Sequence, residues 1–317
     1  RMLSIAQHRV MNDDEMRACL ARIDENNLIS EADLSTKSKY VPFVVDSKVY
    51  GYCQPSFTEK LASFPDVLSV TGNVIEFNTG IAPTEPARTE AMSHVTQSLR
   101  EAGVITGWRD ELLPVVESFG ADPVFLVERA AYPWFGTRGY GIHVNGFVVS
   151  SDNSSNALPK LWVARRSPTK QTWPGMLDNI CAGGLPHGIS PSTNVVKECG
   201  EEASIPQNLA RKAISTGAVG YTSLDEQGNL KRDVLFCFDL ELPFDFRPTP
   251  DDGEVDFFQL QSIDWCLERV IEGGSEGYKP NCNLVVLDFM VRRGYITCDS
   301  HSRFLELVQR LRPPGMA

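Results

Sequence analysis

Residues 183–205 read GGLPHGISPSTNVVKECGEEASI, a Gly-Gly turn followed by a helix carrying Glu198, Glu201 and Glu202. Spacings of three and four residues stack those carboxylates on one helix face. Val195, Val196, Cys199 and Ala203 form an apolar stripe on the other. Three like charges on one face repel, and a divalent cation relieves that repulsion. Hard carboxylate oxygens suit Mg²⁺ or Mn²⁺. A solvated acidic face is the plainer meaning of the same charge run.

The stretch resembles the Nudix box, G-x5-E-x7-R-E-U-x-E-E-x-G-U, with U an aliphatic residue. Gly183 takes the first position and residues 197–205 fall on R-E-U-x-E-E-x-G-U. Four positions depart from the pattern. Ile189 stands at the first Glu, Lys197 at the Arg, Cys199 at the aliphatic and Ser204 at the Gly. The first two changes belong together, because losing that Glu removes the need for a planar, bidentate Arg. Ser204 suits a left-handed helix end less well than glycine does. The E-x-x-E-E triplet is intact, and the resemblance implies that Glu198, Glu201 and Glu202 are metal ligands.

Composition narrows the partners. The chain has 317 residues, enough for about two domains, with 30 lysines and arginines against 41 aspartates and glutamates and a net charge of −11. That balance disfavours nucleic acid or an anionic membrane as the main partner. No apolar run reaches membrane-spanning length. Eight scattered cysteines without a C-x-x-C pair fit reduced, mostly buried thiols in a soluble intracellular protein, cytoplasmic in the first instance. The sequence opens on Arg1, so a plastid or other organelle, reached by a transit peptide since removed, is the alternative.

Residues 1–136 read as a smaller α/β domain without a catalytic motif. Residues 12–28 predict a helix with an acidic first turn. Residues 40–54 predict two strands joined at Asp46-Ser47. Helices follow over 57–68 and 84–102, the second stopped by Gly103, with a strand through 74–77 between them. Trp108 and residues 111–116 lead into a third, shorter helix. A Gly- and aromatic-rich connection then places the boundary near Thr137, and residues 137–317 form the second domain.

The second domain opens with a hairpin predicted to turn at Asn145-Gly146. His143 alternates with apolar neighbours there and packs or pairs on a strand rather than acting as a base. Strands are expected over 161–164, 176–182, 217–223 and 233–242. Helices are expected through residues 206–214, 283–293 and 301–311. Arg165, Arg166 and Lys170 make a basic patch suited to diphosphate oxygens, or a solvated turn. Glu254 is either an additional ligand or base, or part of an acidic loop with Asp251 and Asp252.

WVARRSPTKQTWPGMLDNICAGGLPHGIS, NVVKECGEEASIP, LFCFDLELP and DGEVDFFQL together resemble one Nudix subfamily, labelled thiamin pyrophosphokinase-related, whose members carry an N-terminal domain of unknown function. The resemblance implies an α/β/α sandwich with a mixed sheet. It also implies hydrolysis of thiamin diphosphate analogues, the damaged oxo- and oxy-thiamin forms, to monophosphate and phosphate. Glu201 or Glu254 would take the proton from the attacking water. Arg165, Arg166, Lys170, Gly183 and Gly184 would contact the small-molecule diphosphate. Trp173 or Trp134 would offer a face to a thiazolium ring, or simply pack. Three alternatives stand beside this: another diphosphate such as ADP-ribose, a non-catalytic thiamin- or nucleotide-binding regulatory protein, and the kinase of the label. Oligomeric state is not legible.

Overall fold

The computed structural model describes residues 8–36, 39–149 and 158–315. Helix α1 (Asp13–Asp24) begins in a capping box, Asn12 accepting from the Glu15 backbone while Glu15 accepts from the Asn12 N–H. Helix α2 (Glu31–Thr36) follows, then the strands β1 (Val41–Val45) and β2 (Lys48–Cys53). Their turn has positive φ at both Asp46 and Ser47, the twist that suits a two-residue hairpin. Next come α3 (Pro55–Leu61), β3 (Leu68–Thr71), β4 (Val74–Phe77) and α4 (Glu85–Glu101). Strands 1–4 form a sheet in the order β2-β1-β4-β3, with β1 and β4 parallel. Helix α3 is shorter than the 57–68 helix expected, and its final turn is replaced by the approach to β3.

Residues 112–115 are a strand rather than the approach to a helix. β5 (Leu112–Val115) pairs with β6 (Phe125–Glu128). Pro114 is tolerated because this sheet has two strands and each is an edge. The short helix comes later, as α5 (Tyr132–Phe135).

The predicted hairpin at Asn145-Gly146 is absent: β7 (Arg138–Val148) runs straight through both residues. Gly146 is there for space, not for a turn. A Cβ on it would lie 2.7 Å from Cδ1 and 2.8 Å from Cγ2 of Ile180, a fully buried side chain. Gly146→Ala should therefore destabilise the protein by about 1–3 kcal/mol through overpacking. Denaturant midpoints would show it, and adding Ile180→Val should recover part of the loss.

The remaining elements are β8 (Lys160–Arg166), β9 (Leu177–Asp178), β10 (Cys181–Gly184), α6 (Pro191–Ala203) and α7 (Gln207–Ala210). After them come β11 (Ile214–Leu224), β12 (Leu230–Glu241), β13 (Val255–Ser262), α8 (Ile263–Glu272), α9 (Pro280–Arg292) and α10 (Phe304–Arg310). The main sheet runs β11-β12-β7-β8-β13, with β7 and β12 parallel. β7 and β8 pair only at Phe147–Leu161 and Val148–Lys160 and then diverge. β10 fills the gap against β7 and β9 fills it against β8. The sheet thus forks, and the expected 176–182 strand is broken in two at the fork.

One face of this sheet packs on α6 and α7 through Ile142, Val144, Val195, Cys199 and Phe238. The other packs on α8, α9 and α10 through Phe147, Val163, Leu235, Leu267 and Phe289. This is the helix–sheet–helix layering anticipated. Helix α1 also belongs to the second face: Met16, Cys19, Leu20 and Ile23 join that core, so the start of the chain crosses into the later unit. The earlier unit has its own core around Phe43, Phe57, Met92, Phe125 and Phe135. Within that unit β2 lies tight against the end of α5, since a Cβ on Gly51 would lie 2.2 Å from the Phe135 carbonyl oxygen. Seven cysteines are buried and unpaired, and Cys298 is exposed.

Candidate active site

Helix α6 is fixed at both ends. Its N-cap, Ser190, accepts from the Thr193 N–H at 3.2 Å, and Pro191 supplies the first helical φ. Its end is left-handed at Ser204, φ 51°, where the box pattern has glycine. The serine offsets its unfavourable backbone with its side chain, Oγ donating to the Thr249 carbonyl at 3.0 Å.

The three glutamates do not share one environment. Glu201 is exposed and meets Lys197 Nζ at 2.9 Å, and Lys197 also reaches Glu198 at 3.2 Å. Glu198 folds against β10, where a Cβ on Gly183 would lie 2.4 Å from its carboxyl carbon. Glu202 is buried beside Cys199 and Ala203, and its Oε2 accepts from the Ala182 N–H at 2.9 Å. Burial pushes the Glu202 carboxyl well above the usual carboxylate range. The Ala182 hydrogen bond opposes this, and the charges of Asp178, Glu198 and Glu254 add to it. Burial raises Glu198 as well, against the pull of Lys197. Crowded, partly buried carboxylates that resist ionising together are a fitting donor set for a hard divalent cation.

Glu254 reaches the same fork from the start of β13. Lys170 Nζ meets its carboxylate at 2.6 Å, and Ser167 donates to its backbone carbonyl at 2.8 Å. Burial pushes Glu254 up, but the hydrogen bond and charge of Lys170 prevail and hold it below the ordinary value. Arg165 pairs with Glu276 at 3.0 Å. Arg166 is the most committed cation: it donates to Asp178 at 2.7 Å, the Thr172 carbonyl at 2.8 Å and the Trp173 carbonyl at 2.9 Å. Trp173 projects into solvent, 47% exposed. Trp134 instead packs on Phe57 in the earlier unit's core, with ring centroids 5.0 Å apart.

Behind the fork lies a buried polar chain. His143 Nδ1 meets Asn179 Oδ1 at 2.8 Å, Asn179 donates to Asn145 at 3.0 Å, and Asn145 donates to Asp239 at 3.2 Å. Burial lowers the His143 pKa to about 4, with Lys279 adding to the effect, so the ring is neutral and donates from Nδ1. That matches its reading as a packed strand residue. Cys282 Sγ donates to Asp178 at 2.8 Å, and together with His143 these form a compact His-Asp-Cys cluster. Arg166 and Lys279 already balance the charge of Asp178, which makes the cluster a structural one.

Arg129 was not anticipated. It comes from the earlier unit, and its guanidinium lies over Gly184, with Cζ 3.1 Å from where a Cβ would sit. The loop after β10 is tied to the same unit, His187 donating from its backbone to Leu112 at 3.0 Å. A lone arginine in the sequence VERAAY carries no spacing signal, and only the tertiary fold brings it here.

A family described as "Domain of unknown function (DUF4743)" matches residues 19–139. The chain is 42% identical over 310 residues to Nudix hydrolase 20, chloroplastic, of Arabidopsis thaliana, covering 95% of this chain and 79% of that protein. It is 41% identical over 303 residues to Nudix hydrolase 24, chloroplastic, of the same plant, with the same two coverages. Among solved structures, DR0079 from Deinococcus radiodurans aligns with 56% of this chain and 96% of its own, at 19% identity and a TM-score of 0.39.

Proposed function

Because the chain belongs to the Nudix hydrolase family, we propose that it is a metal-dependent diphosphatase that cleaves thiamin diphosphate analogues to the monophosphate and phosphate. The single observation that carries this reading is the carboxylate cluster at the fork, where Glu202 is buried against β10 and feels the charges of Glu198 and Glu254. Glu198 and Glu202, with Glu201 at the outer edge, would hold the ion. When bound, Mg²⁺ or Mn²⁺ supplies charge neutralisation for the diphosphate oxygens and a lower pKa for an attacking water.

The chain's own residues do the rest. Glu201 or Glu254 takes the proton from the attacking water, Glu254 after release from Lys170. Lys170, once released, turns to a phosphate oxygen. Arg166 fixes the turn that presents Trp173, whose indole is free to cover a cationic ring at the mouth of the cleft. Arg165, paired with Glu276 at the rim, can exchange that partner for an anionic ligand. Gly183 and Gly184 let Glu198 and Arg129 close on β10 from two directions.

Damaged oxo- and oxy-thiamin diphosphates are the substrates we favour, on the breadth of the subfamily resemblance. No helix among the described residues is long and apolar enough to cross a membrane. The relatives' chloroplastic names support a plastid setting over the cytoplasm.

The test is incubation with Mg²⁺ and thiamin, oxo-thiamin and oxy-thiamin diphosphates plus ADP-ribose, measuring phosphate and monophosphate release. Release from the thiamin analogues supports the proposal. Cleavage of ADP-ribose alone keeps the diphosphatase and discards the substrate. Binding without release would make the protein a sensor.

A further inference from the structure

The cations nominated by the sequence are largely spent on protein partners: Arg165 on Glu276, Arg166 on Asp178 and two carbonyls, Lys170 on Glu254. Two others are not. Arg129 uses Nη1 for Glu111 at 2.6 Å, and its Nε and Nη2 have no protein partner among the described residues. Lys231, half-buried on β12, makes no hydrogen bond or ion pair among the described residues.

The fold brings these two residues together deliberately. Tyr132, three residues after Arg129, donates its hydroxyl to Asp233 at 3.0 Å, and Asp233 lies two residues along β12 from Lys231 on the same face. Tyr221 donates to Asp233 at 2.6 Å from the neighbouring strand, and Arg232 donates to the Gly136 carbonyl at 3.0 Å. The segment carrying Arg129 is thereby pinned over the strand carrying Lys231. Burial lowers the Lys231 pKa; Asp233 opposes this, while the Lys279 and Arg129 charges add to it. The field of Arg129 in turn reaches Glu198 and Glu254. In a chain with net charge −11, two neighbouring cations with open donors, one of them Arg129 beside the carboxylate cluster, are suited to an anion.

We propose that Arg129 and Lys231 form a phosphate-gripping wall opposite the carboxylates, so that the N-terminal unit supplies a substrate-binding residue to the hydrolase site. The inference rests on the diphosphatase reading above and deepens it. Arg129 offers the planar fork that matches two phosphate oxygens, while Lys231 offers a point charge from the sheet. Glu111 holds the fork by one nitrogen and leaves the other two without a protein partner among the described residues. The ligand class is a diphosphate group, whatever organic part it carries.

The experiment uses the full chain with Mg²⁺, the best diphosphate of the panel above, and inorganic diphosphate as a competitor. Arg129→Ala and Lys231→Met should each raise KM and the inhibition constant by ~10-fold or more, the loss of one charge-assisted hydrogen bond, with kcat much less affected. Arg129→Lys should recover part of the loss. Arg100→Ala removes a charge from the same unit, where Arg100 lies 4.6 Å over Trp108, and should change neither constant. Circular dichroism and melting confirm that each variant folds, and if Arg129→Ala does not, Arg129→Lys and Lys231→Met carry the comparison.

Unchanged KM and inhibition constants in folded variants would overturn the inference while leaving the diphosphatase intact. A fall in kcat and melting temperature at constant KM would overturn it too, marking both residues as structural. A wild-type protein that hydrolyses nothing in the panel would remove the diphosphatase reading and this inference with it.

Discussion

Glu202→Gln is expected to lower kcat by about two orders of magnitude or more while leaving the metal-free fold at least as stable. The substitution keeps the volume and the oxygen that accepts from the Ala182 N–H. It removes a charge that is buried and crowded by Asp178, Glu198 and Glu254. Because the folded-state pKa of this carboxyl is raised, its stabilising contribution is present in acid and is lost as pH rises beyond the ordinary carboxylate range. The variant's stability advantage over metal-free wild type should therefore be smallest in acid and open as pH rises. Adding Mg²⁺ or Mn²⁺ should raise the wild-type melting temperature and do little for the variant. Near-normal turnover by Glu202→Gln would remove this residue from the site.

Gly183→Ala should be nearly as damaging to activity, again with little effect on the fold. The added methyl would lie 2.4 Å from the Glu198 carboxyl carbon and 2.5 Å from Oε1. Those atoms end a flexible side chain, so the strand stays in place and the carboxylate swings out. A displacement on the order of 1 Å in a positioned group can cost about a hundredfold in rate. We expect kcat/KM to fall by about 10- to 100-fold, with a melting temperature close to wild type. Gly184→Ala provides the contrast. Its methyl would meet Arg129 Cζ at 3.1 Å, a milder encounter, so its effect should fall on KM rather than kcat. If Gly183→Ala retains full kcat/KM, the placement of Glu198 is immaterial to the reaction.

These residues also mark what the sequence discloses. The helix bearing the glutamates is local: a serine cap, a proline at the first turn and an apolar stripe specify it without help from the rest of the chain. The 84–102 helix and the hairpin at Asp46-Ser47 are legible for the same reason. Helical spacing also groups the three carboxylates, but it cannot say which edge of the face a sheet will cover. Glu202 is buried and Glu201 exposed because β10 lies over one side of α6.

Asn145-Gly146 misleads for a related reason. The pair is a strong local turn signal, but here glycine is needed to clear Ile180, and Asn145 is needed to hydrogen-bond Asp239 inside the protein. Both requirements come from residues more than thirty positions away. The juxtaposition of Arg129 and Lys231 is further from reach still. Arg129 and Lys231 become neighbours through Tyr132 and Asp233, a contact spanning 101 residues.

The docking of α1 against the helices at the far end of the chain has a consequence for how the protein is made. Met16, Cys19, Leu20 and Ile23 find their partners in Leu267, Val285, Phe289 and Leu307, which are synthesised more than two hundred residues later. Asn27 closes the same seam by donating to the Arg310 carbonyl at 3.2 Å. During translation the first amphipathic helix must wait, apolar side uncovered, until the last helices leave the ribosome. The catalytic unit cannot complete its core before that moment. Maturation should accordingly be a late, whole-chain event rather than a domain-by-domain one. A nascent chain stalled short of α9 would be a client for chaperones, and a gene fragment beginning at residue 137 would yield a protein with an open core.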